Sequence, residues 1–451
     1  MKKCAYKNLG CKVNAAELEA MKEQMEASGF ETVPFDGPAD VYVIHTCTVT
    51  NIADRKSRQM IRQARHQNPE AVVVAAGCSV QAASEAFSEA DILIGTNRKS
   101  ELAGMVEEFL RGRDAFMPQL RVLSEDIRAE HVYEEQQVSR SGEHCRAFLK
   151  VEDGCDRFCS YCGIPFARGP VRSRTFDAAI REAERLASAG IREIVIGGID
   201  LSSYGKDLPE QPEGLADLVA ATAAVPGILR VRLGSLEQGI ITREFLERLA
   251  AVPAFCPQFH LSLQSGSDTV LARMNRHYTT AEYLEKCDMI RTVFPDAALT
   301  TDIIAGFPQE TEEEFAETLA FVRRAAFSRI HAFPYSRREG TNAAKMSGQL
   351  TEKVKKERCR ELIALGEELA VRYSRRFMGR TVDILCEEVV GEAGPSAGEG
   401  AGTVPECGSY TEGYTKEYVR AALPGRHPVN TVVRARAVKV AEDGKLLLIC
   451  D

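Results

Sequence analysis

No apolar run in this 451-residue sequence approaches the length of a membrane span. The best of them, Ala71 to Ala76, is the size of a single strand. The amino terminus, Met1 to Asn8, lacks the apolar stretch of a secretory signal, so a cytoplasmic location without membrane contact is expected. Nor is there an excess of positive charge: 57 Lys and Arg against 65 Asp and Glu leave a formal net charge of −8. That excludes a chain that is basic all over, while leaving room for a local basic face. Solenoid-type repeats are absent too. What is present is cysteine, 14 in all, and in a reducing compartment clustered cysteines are ligands before they are disulfides.

With 44% hydrophobic and 27% charged residues, the chain has an ordinary soluble composition and the length for about two to four domains. From residue 1 to 113, apolar runs such as Val41–Ile44 and Ala71–Ala75 alternate with amphipathic segments such as Asn51–Gln67. This reads as a small doubly wound, Rossmann-like α/β domain. A polar, weakly periodic stretch over 114–140 reads as a linker. Over 141–376 the alternation returns, with strands expected at Phe148–Val151, Glu193–Ile196, Leu229–Leu233, Phe259–Leu263, Leu299–Ile304 and Ile330–Phe333. Helical stretches such as Ala178–Ala189 and Glu312–Arg324 lie between them. Six such units in series suit an open (β/α)6 barrel, which places function at the carboxyl ends of its strands. The long charged helix Glu352–Phe377 leads into a small all-β domain over 377–451, with strands at Val382–Leu385, Val432–Ala435 and Leu446–Ile449. The loop Gly391–Gly408 interrupts it.

Cys155, Cys159 and Cys162 follow the first barrel strand directly. Three thiolates on a glycine-introduced loop can each bind one iron of a cubane, and with no fourth cysteine in the run one iron stays open. An open iron is what the amino and carboxylate groups of S-adenosylmethionine need. Reductive cleavage of that sulfonium yields a carbon radical, chemistry that belongs to the cofactor. A structural zinc site would want two paired ligand sets, and no matching pair follows nearby. The pattern therefore reads as a radical S-adenosylmethionine enzyme.

Cys11, Cys47 and Cys78 share a different setting, each following an apolar strand-like run and preceding a helix. In a parallel sheet such turns lie along one edge, so the three thiols could converge on a second cluster. Buried cysteine is also common at strand ends, and the pattern alone leaves both readings open. Cys4, Cys145, Cys256, Cys287, Cys359, Cys386, Cys407 and Cys450 lack this setting and read as ordinary thiols.

Over nearly its whole length the chain resembles the methylthiotransferase family of radical enzymes. The resemblance is carried by Gly10-Cys11-Lys12-Val13-Asn14, by Thr46–Asn51 with Ala53-Asp54, by Gly77-Cys78 and by the Cys155/Cys159/Cys162 run. It continues through Arg168–Arg174, Leu261–Ser267, Met274-Asn275-Arg276 and Thr301–Pro308. It implies that Cys11, Cys47 and Cys78 hold an auxiliary 4Fe–4S cluster beside the radical one, and that the carboxyl-terminal domain is an RNA-binding barrel of the TRAM type. Lys12-Val13-Asn14 and Thr46–Asn51 look like the branch that places a methylthio group at C2 of N6-threonylcarbamoyladenosine next to the tRNA anticodon. The resemblance further implies two uses of S-adenosylmethionine, one to methylate a sulfur and one to generate the radical that takes the C2 hydrogen. Partners expected on this reading are tRNA, an electron donor such as flavodoxin or ferredoxin, and a sulfur source, with the protein acting as a monomer.

Tyr161, Gly198, Ser235, Glu237, Gln264 and Asp302 are candidate S-adenosylmethionine contacts, each in the cluster loop or near an expected strand end; a satisfied loop hydrogen bond is the alternative for each. Arg168, Arg172 and Arg174 form a dense basic run that could hold RNA phosphates, or simply be a solvated charge run. Two departures stand out. Gly197-Gly198-Ile199-Asp200 lacks the glutamate of the Gly-Gly-Glu motif common in the wider superfamily, and Gln309 stands where glycine is usual. Rival functions are methylthiolation of an aspartate in a small-subunit ribosomal protein, and a non-catalytic iron–sulfur regulator that binds RNA. A cobalamin-dependent methylase is a third, whose Asp-x-His-x-x-Gly motif is missing.

Overall fold

The computed structural model describes residues 1–48, 51–112, 119–122, 126–138, 145–210, 213–390 and 409–449. The first unit is a six-stranded sheet ordered β2-β1-β3-β4-β5-β6. Its strands are β1 (Lys2–Asn8), β2 (Phe30–Val33), β3 (Val41–Thr46), β4 (Val72–Gly77), β5 (Ile92–Ile94) and β6 (Leu120–Val122). All neighbours are parallel. Every residue of β3 and β4 is buried, as expected for central strands covered by helices on both faces. Helices α1 (Lys12–Ala27), α2 (Asn51–Gln67) and α3 (Cys78–Ala82) follow β1, β3 and β4. In α2, Ile61 and Ala64 are buried as an amphipathic helix requires, whereas Ile52, in its first turn, is exposed.

Part of the segment read as a linker is ordered structure. Leu120–Val122 pairs with β5 as the sixth strand of the sheet. Further on, Ile127 and Val138 are buried, and the Tyr133 hydroxyl donates to the Lys150 carbonyl. The segment is polar because it lies over two cores instead of inside one.

The second unit is a partial barrel. Its first strand β7 (Arg146–Lys150) runs into a short antiparallel pair, β8 (Glu152–Asp153) with β9 (Arg172–Ser173). The remaining barrel strands are β10 (Glu193–Gly197), β11 (Arg230–Leu233), β12 (Ser235–Leu236), β13 (Gln258–Leu261), β14 (Ala298–Ala305) and β15 (Arg329–Pro334). They form a sheet β11-β10-β7 and a sheet β12-β13-β14-β15, all parallel. The break between β11 and β12 falls at Gly234, where one strand changes sheet. Six strand–helix units result, matching the expected series. Ala147, Leu149, Ile194, Ile196, Leu261 and Leu299 point outward into one aliphatic core under the helices. Among the described residues β7 and β15 do not pair, so the barrel is open between them, and α1 packs against β7 there.

Helix Glu352–Ser374 packs against β15 and leads to a closed barrel ordered β16-β17-β18-β20-β19. Its strands are β16 (Thr381–Val390), β17 (Tyr410–Thr415), β18 (Arg420–Pro424), β19 (Val432–Val440) and β20 (Leu446–Ile449). The sequence pattern did not distinguish β17 and β18, because Thr411-Glu412-Gly413 and Pro424-Gly425 carry turn-forming residues. Gly413 lies at a close crossing where a Cβ would stand 1.9 Å from the Leu385 carbonyl oxygen. The loop 391–408 lies outside the described residues. No helix among the described residues is long and apolar enough to cross a membrane.

Candidate cluster sites and the barrel mouth

Because β1, β3 and β4 are adjacent and parallel, their carboxyl ends meet at one sheet edge. Cys11 caps the start of α1, Cys47 follows β3, and Cys78 opens α3. The last turn depends on Gly77, whose φ of +107° lets the chain pass where a Cβ would lie 2.8 Å from both His45 and the Thr46 carbonyl. Cys11 is exposed, while Cys47 and Cys78 are buried. The Cys11 thiol donates to Asn14 Oδ1 over 3.1 Å, and Asn14 Nδ2 in turn reaches His45 Nδ1 at 2.7 Å and donates to the Thr46 carbonyl at 2.9 Å.

The second set of thiols sits on the loop between β8 and helix Ile164–Arg168. Gly154, at φ +88°, lets this loop touch the returning strand: a Cβ there would stand 1.8 Å from the Pro170 carbonyl oxygen. Cys155 N–H then donates to the Gly169 carbonyl at 3.0 Å. Arg157, inside the loop, is anchored to Asp200 at 3.0 Å. Burial pushes the Cys162 thiol up to about 12 and also raises Cys155, with further upward pushes from the neighbouring thiols. Cys78 is raised by burial as well. The α3 helix that Cys78 opens packs against helix Ile164–Arg168, which follows Cys162, so the two sets lie on adjoining elements and face each other.

Guanidinium groups address one thiol in each set. Arg168 Nε donates to Cys78 Sγ at 3.2 Å, and Arg276 Nη1 donates to Cys159 Sγ at 3.3 Å. A cationic donor aimed at sulfur suits a thiolate, the form that binds metal. Among the described residues no three His, Cys, Asp or Glu side chains converge on a single-ion site. A cubane, which spreads its three protein ligands over three irons, asks for the wider spacing of a loop triad. The donor sets fit two such groups.

The expectation that Arg168, Arg172 and Arg174 face RNA is corrected here. All three are no more than 2% exposed. Arg168 binds Glu17 at 2.9 Å and Asp153 at 2.8 Å, Arg172 donates to the Arg168 carbonyl at 2.7 Å, and Arg174 pairs with Glu135 at 2.7 Å and Glu182 at 2.9 Å. A buried cation must be paired, so these arginines hold the interior together and offer nothing to a phosphate. Sequence reasoning missed the partners. Glu17 lies on α1, and around it stand Arg168, Lys150 at 2.6 Å, Lys99 at 3.6 Å and His45 at 3.1 Å. Burial alone would raise Glu17, but the Arg168, Lys150 and Lys99 charges outweigh it and hold the carboxyl well below its ordinary range.

The candidate S-adenosylmethionine contacts gather around the barrel mouth. Gly198 follows β10, Ser235 is the exposed first residue of β12, and Gln264 follows β13 in a left-handed conformation, φ +74°, bridged to Ile303. Tyr161 packs against the apolar group of Val270, Met274, Phe307 and Tyr335. Glu237 is committed to Arg276 at 2.5 Å, and Asp302 lies within β14, not at its end, 3.3 Å from His260 Nε2. At the glycine pair that lacks the usual glutamate, a carboxyl group arrives from another strand. Glu152 is fully buried against Gly198, accepts from Asp200 N–H at 2.6 Å, and leaves Oε1 without a hydrogen-bond partner. Burial, with Asp153 beside it, raises this carboxyl well above its usual range.

Comparison with known proteins agrees with this geometry. Residues 149–322 match the radical SAM superfamily and residues 3–95 match an uncharacterized protein family, UPF0004. The chain is 38% identical over 440 residues to the threonylcarbamoyladenosine tRNA methylthiotransferase MtaB of Bacillus subtilis, covering 96% of this chain and 93% of that one. It is 39% identical to the protein of the same name from Aquifex aeolicus, covering 86% and 93%. A tRNA-2-methylthio-N(6)-dimethylallyladenosine synthase of Aquifex aeolicus is 32% identical, covering 86% and 88%. Among solved structures, the radical S-adenosylmethionine methyltransferase TsrM of Kitasatospora setae shares the fold, with a TM-score of 0.53, 15% identity, and coverage of 74% and 75%. The chain therefore belongs to the radical S-adenosylmethionine methylthiotransferase family, a family of enzymes that work with two 4Fe–4S clusters and S-adenosylmethionine.

Proposed function

We propose that this protein methylthiolates C2 of N6-threonylcarbamoyladenosine next to the anticodon of tRNA, and that it does so in the cytoplasm. The observation that carries the reading is the facing of two thiol triads across one space, Cys11/Cys47/Cys78 at the sheet edge and Cys155/Cys159/Cys162 at the barrel mouth. The identity to relatives named for this reaction supports the choice of substrate. When bound, the two clusters supply S-adenosylmethionine cleavage and the site of the sulfur to be transferred.

The chain's own residues prepare that meeting. Arg168, Glu17, Asp153 and Lys150 lock the sheet to the barrel, so the distance between the triads is fixed. Arg338 adds a second tie from beyond β15, reaching Asp54 at 2.6 Å and the Thr48 hydroxyl, next to Cys47. Gly198, Gln264 and Tyr161 line the mouth where S-adenosylmethionine would lie. With Arg168, Arg172 and Arg174 buried, RNA contact falls to exposed cations elsewhere, such as Arg55 and Lys56 on α2 and Arg434 on β19. An electron donor such as flavodoxin or ferredoxin and a sulfur source complete the reaction, and a monomer suffices for it.

Two measurements test the reading. Mass analysis of tRNA from a deletion strain should show loss of the methylthio form of threonylcarbamoyladenosine; an unchanged level would refute the substrate. Iron in the anaerobic protein should fall from about eight atoms to about four in a Cys11/Cys47/Cys78 triple alanine variant.

A further inference from the structure

The loop that carries Cys155, Cys159 and Cys162 also bears a small aromatic surface that neither thiol set uses. Phe158 lies inside that loop, next to Cys159, and Phe166 lies on helix Ile164–Arg168, which follows Cys162. Their rings meet edge to face, 5.9 Å apart between centroids and inclined at 72°. The Arg128 guanidinium, from the turn Ile127–Ala129, stands 5.0 Å over the Phe158 ring. That turn is pressed against the end of the helix, where a Cβ at Gly169 would stand 2.1 Å from the Ile127 carbonyl oxygen. Arg128 is exposed, and among the described residues it forms no ion pair.

Two features set these rings apart from ordinary packing. Phe166 is 51% exposed, although an aromatic ring is among the side chains that gain most from burial. Phe158 adopts φ +49°, a left-handed conformation that strains a residue with a Cβ and is rare for a bulky one. Its surroundings hold it there: Asn275 Nδ2 donates to the Phe158 carbonyl at 3.0 Å, and Ser160 N–H donates to the Met274 carbonyl at 2.9 Å. Strain maintained in this way is typical of functional loops.

The position of the pair says what it faces. Helix Ile164–Arg168 packs against α3, which Cys78 opens, and Arg168 at its end reaches Cys78 Sγ at 3.2 Å. The helix therefore runs along the seam between the two triads, with Phe166 at its solvent edge. A target base held between the triads brings its neighbours in the chain to that edge, and in an anticodon loop those neighbours are unpaired. Unpaired bases are taken up on exposed aromatic rings and on arginine guanidinium planes. We propose that Phe166, backed by Phe158 and Arg128, stacks the unpaired base that adjoins the target adenosine and so positions the anticodon loop over the two triads. The proposal rests on the substrate reading of the preceding subsection. A protein that carries electrons to the nearby cluster is the other occupant to weigh. An acidic carrier needs a cationic field, and here Asp126 and Asp156 are exposed on the same turn and loop as the single Arg128 and the Phe158 ring. Stacking on a neutral ring needs no such field.

Affinity of the reconstituted holoenzyme for anticodon stem-loop RNAs tests it. The RNAs carry N6-threonylcarbamoyladenosine at the target position, with an intact loop or with an abasic residue on its 5′ or its 3′ side. In wild type, one of the two abasic residues should weaken binding about tenfold. Phe166→Ala should weaken binding of the intact RNA by a similar factor and be indifferent to that abasic residue, while Phe166→Trp should bind as wild type does. Should Phe166→Ala lose iron, Arg128→Ala decides in its place, with a loss of about threefold confined to the intact RNA. The stacking is overturned if wild type is indifferent to both abasic residues, if the deciding variant binds the intact RNA as wild type does, or if the two losses multiply. Slower cluster reduction by reduced flavodoxin in a variant with unchanged RNA affinity would give the surface to an electron carrier instead. Wild type that binds the intact RNA no tighter than the same stem-loop with unmodified adenosine overturns the substrate reading, whatever the ring variants do.

Discussion

Arg168 reaches Cys78 Sγ with Nε, 3.2 Å away, while Nη1 of the same guanidinium is held by Glu17 from the sheet unit and Asp153 from the barrel. One planar group therefore ties two folding units together and fixes the thiol of one triad. Neither a lysine nor an exposed arginine could do both, because only the guanidinium fork offers donors in several fixed directions. The buried carboxylates are not ornaments of this arrangement. They are what allows a cation to lie at 0% exposure beside a sulfur.

Removing Glu17 leaves Arg168, Lys150 and Lys99 facing one another with one carboxylate fewer in the interior. Glu17→Ala should cost about 3–5 kcal/mol in chemical denaturation of the anaerobic protein. Arg168→Lys should fall short of that but should still loosen the two units, seen as faster proteolysis in the segment between β6 and β7. A cost under about 1 kcal/mol for Glu17→Ala would mean that the network contributes nothing net.

Acid should act on the same place. Glu17 and Asp153 are both lowered in the folded protein, since burial raises them but Arg168 and Lys150 prevail. A carboxylate depressed on folding contributes stability that is complete above its unfolded value near 4 and is lost as pH falls through the folded value. His45 is lowered by burial against the pull of Glu17, so it too resists charging, and its share begins to be lost below about 6.5. Stability measured from pH 7 down to 3 should fall for wild type, with a shallower slope in Glu17→Gln. Equal slopes would remove Glu17 from the account.

Much of this was legible in the sequence. Cys155, Cys159 and Cys162 announce themselves by spacing, and Val41–Ile44 and Ala71–Ala75 announce buried parallel strands by composition. The sheet-edge meeting of Cys11, Cys47 and Cys78 follows from parallel topology once the strands are known. The run Arg168–Arg174 misled, because local charge density says nothing about carboxylates arriving from distant elements: Glu17 is 151 residues away from Arg168 and Glu135 is 39 away from Arg174. Glu152 was equally hidden. Its role at Gly198 depends on a strand pair of two residues each, too short to leave a periodic signal.

Backbone conformation gives an opposed pair of predictions. Gln309 sits at φ +66°, where a side chain is strained, and its own contacts to Ser347 are long, at 3.3 and 3.4 Å, and exposed. Gln309→Gly should therefore stabilise the protein by about 0.5–1 kcal/mol, net of glycine's extra unfolded-state entropy. Gly154 is also left-handed, but it has a carbonyl oxygen where a Cβ would go. Gly154→Ala should displace the loop that carries Cys155 and lower bound iron as well as stability. Thermal melts and iron counts on the two variants check both directions.

Arg276 offers the last test, and it separates electrostatics from packing. Its guanidinium donates to Cys159 Sγ at 3.3 Å, Glu237 at 2.5 Å, the Ser262 carbonyl at 3.0 Å and the Tyr278 hydroxyl at 3.2 Å. If Cys159 ligates a cluster, an N–H donor and a positive charge at its sulfur favour the reduced, more negative form. Arg276→Met, similar in bulk but neutral, should lower that cluster's midpoint potential by on the order of 50 mV. Arg276→Lys, which keeps the charge but loses the fork, should lie between. Redox titration followed by electron paramagnetic resonance reads this directly, and protein stability need not change in step with it. A potential that stays fixed in Arg276→Met while iron is retained would show that the arginine serves Glu237 and Tyr278 alone, and that the sulfur contact is incidental.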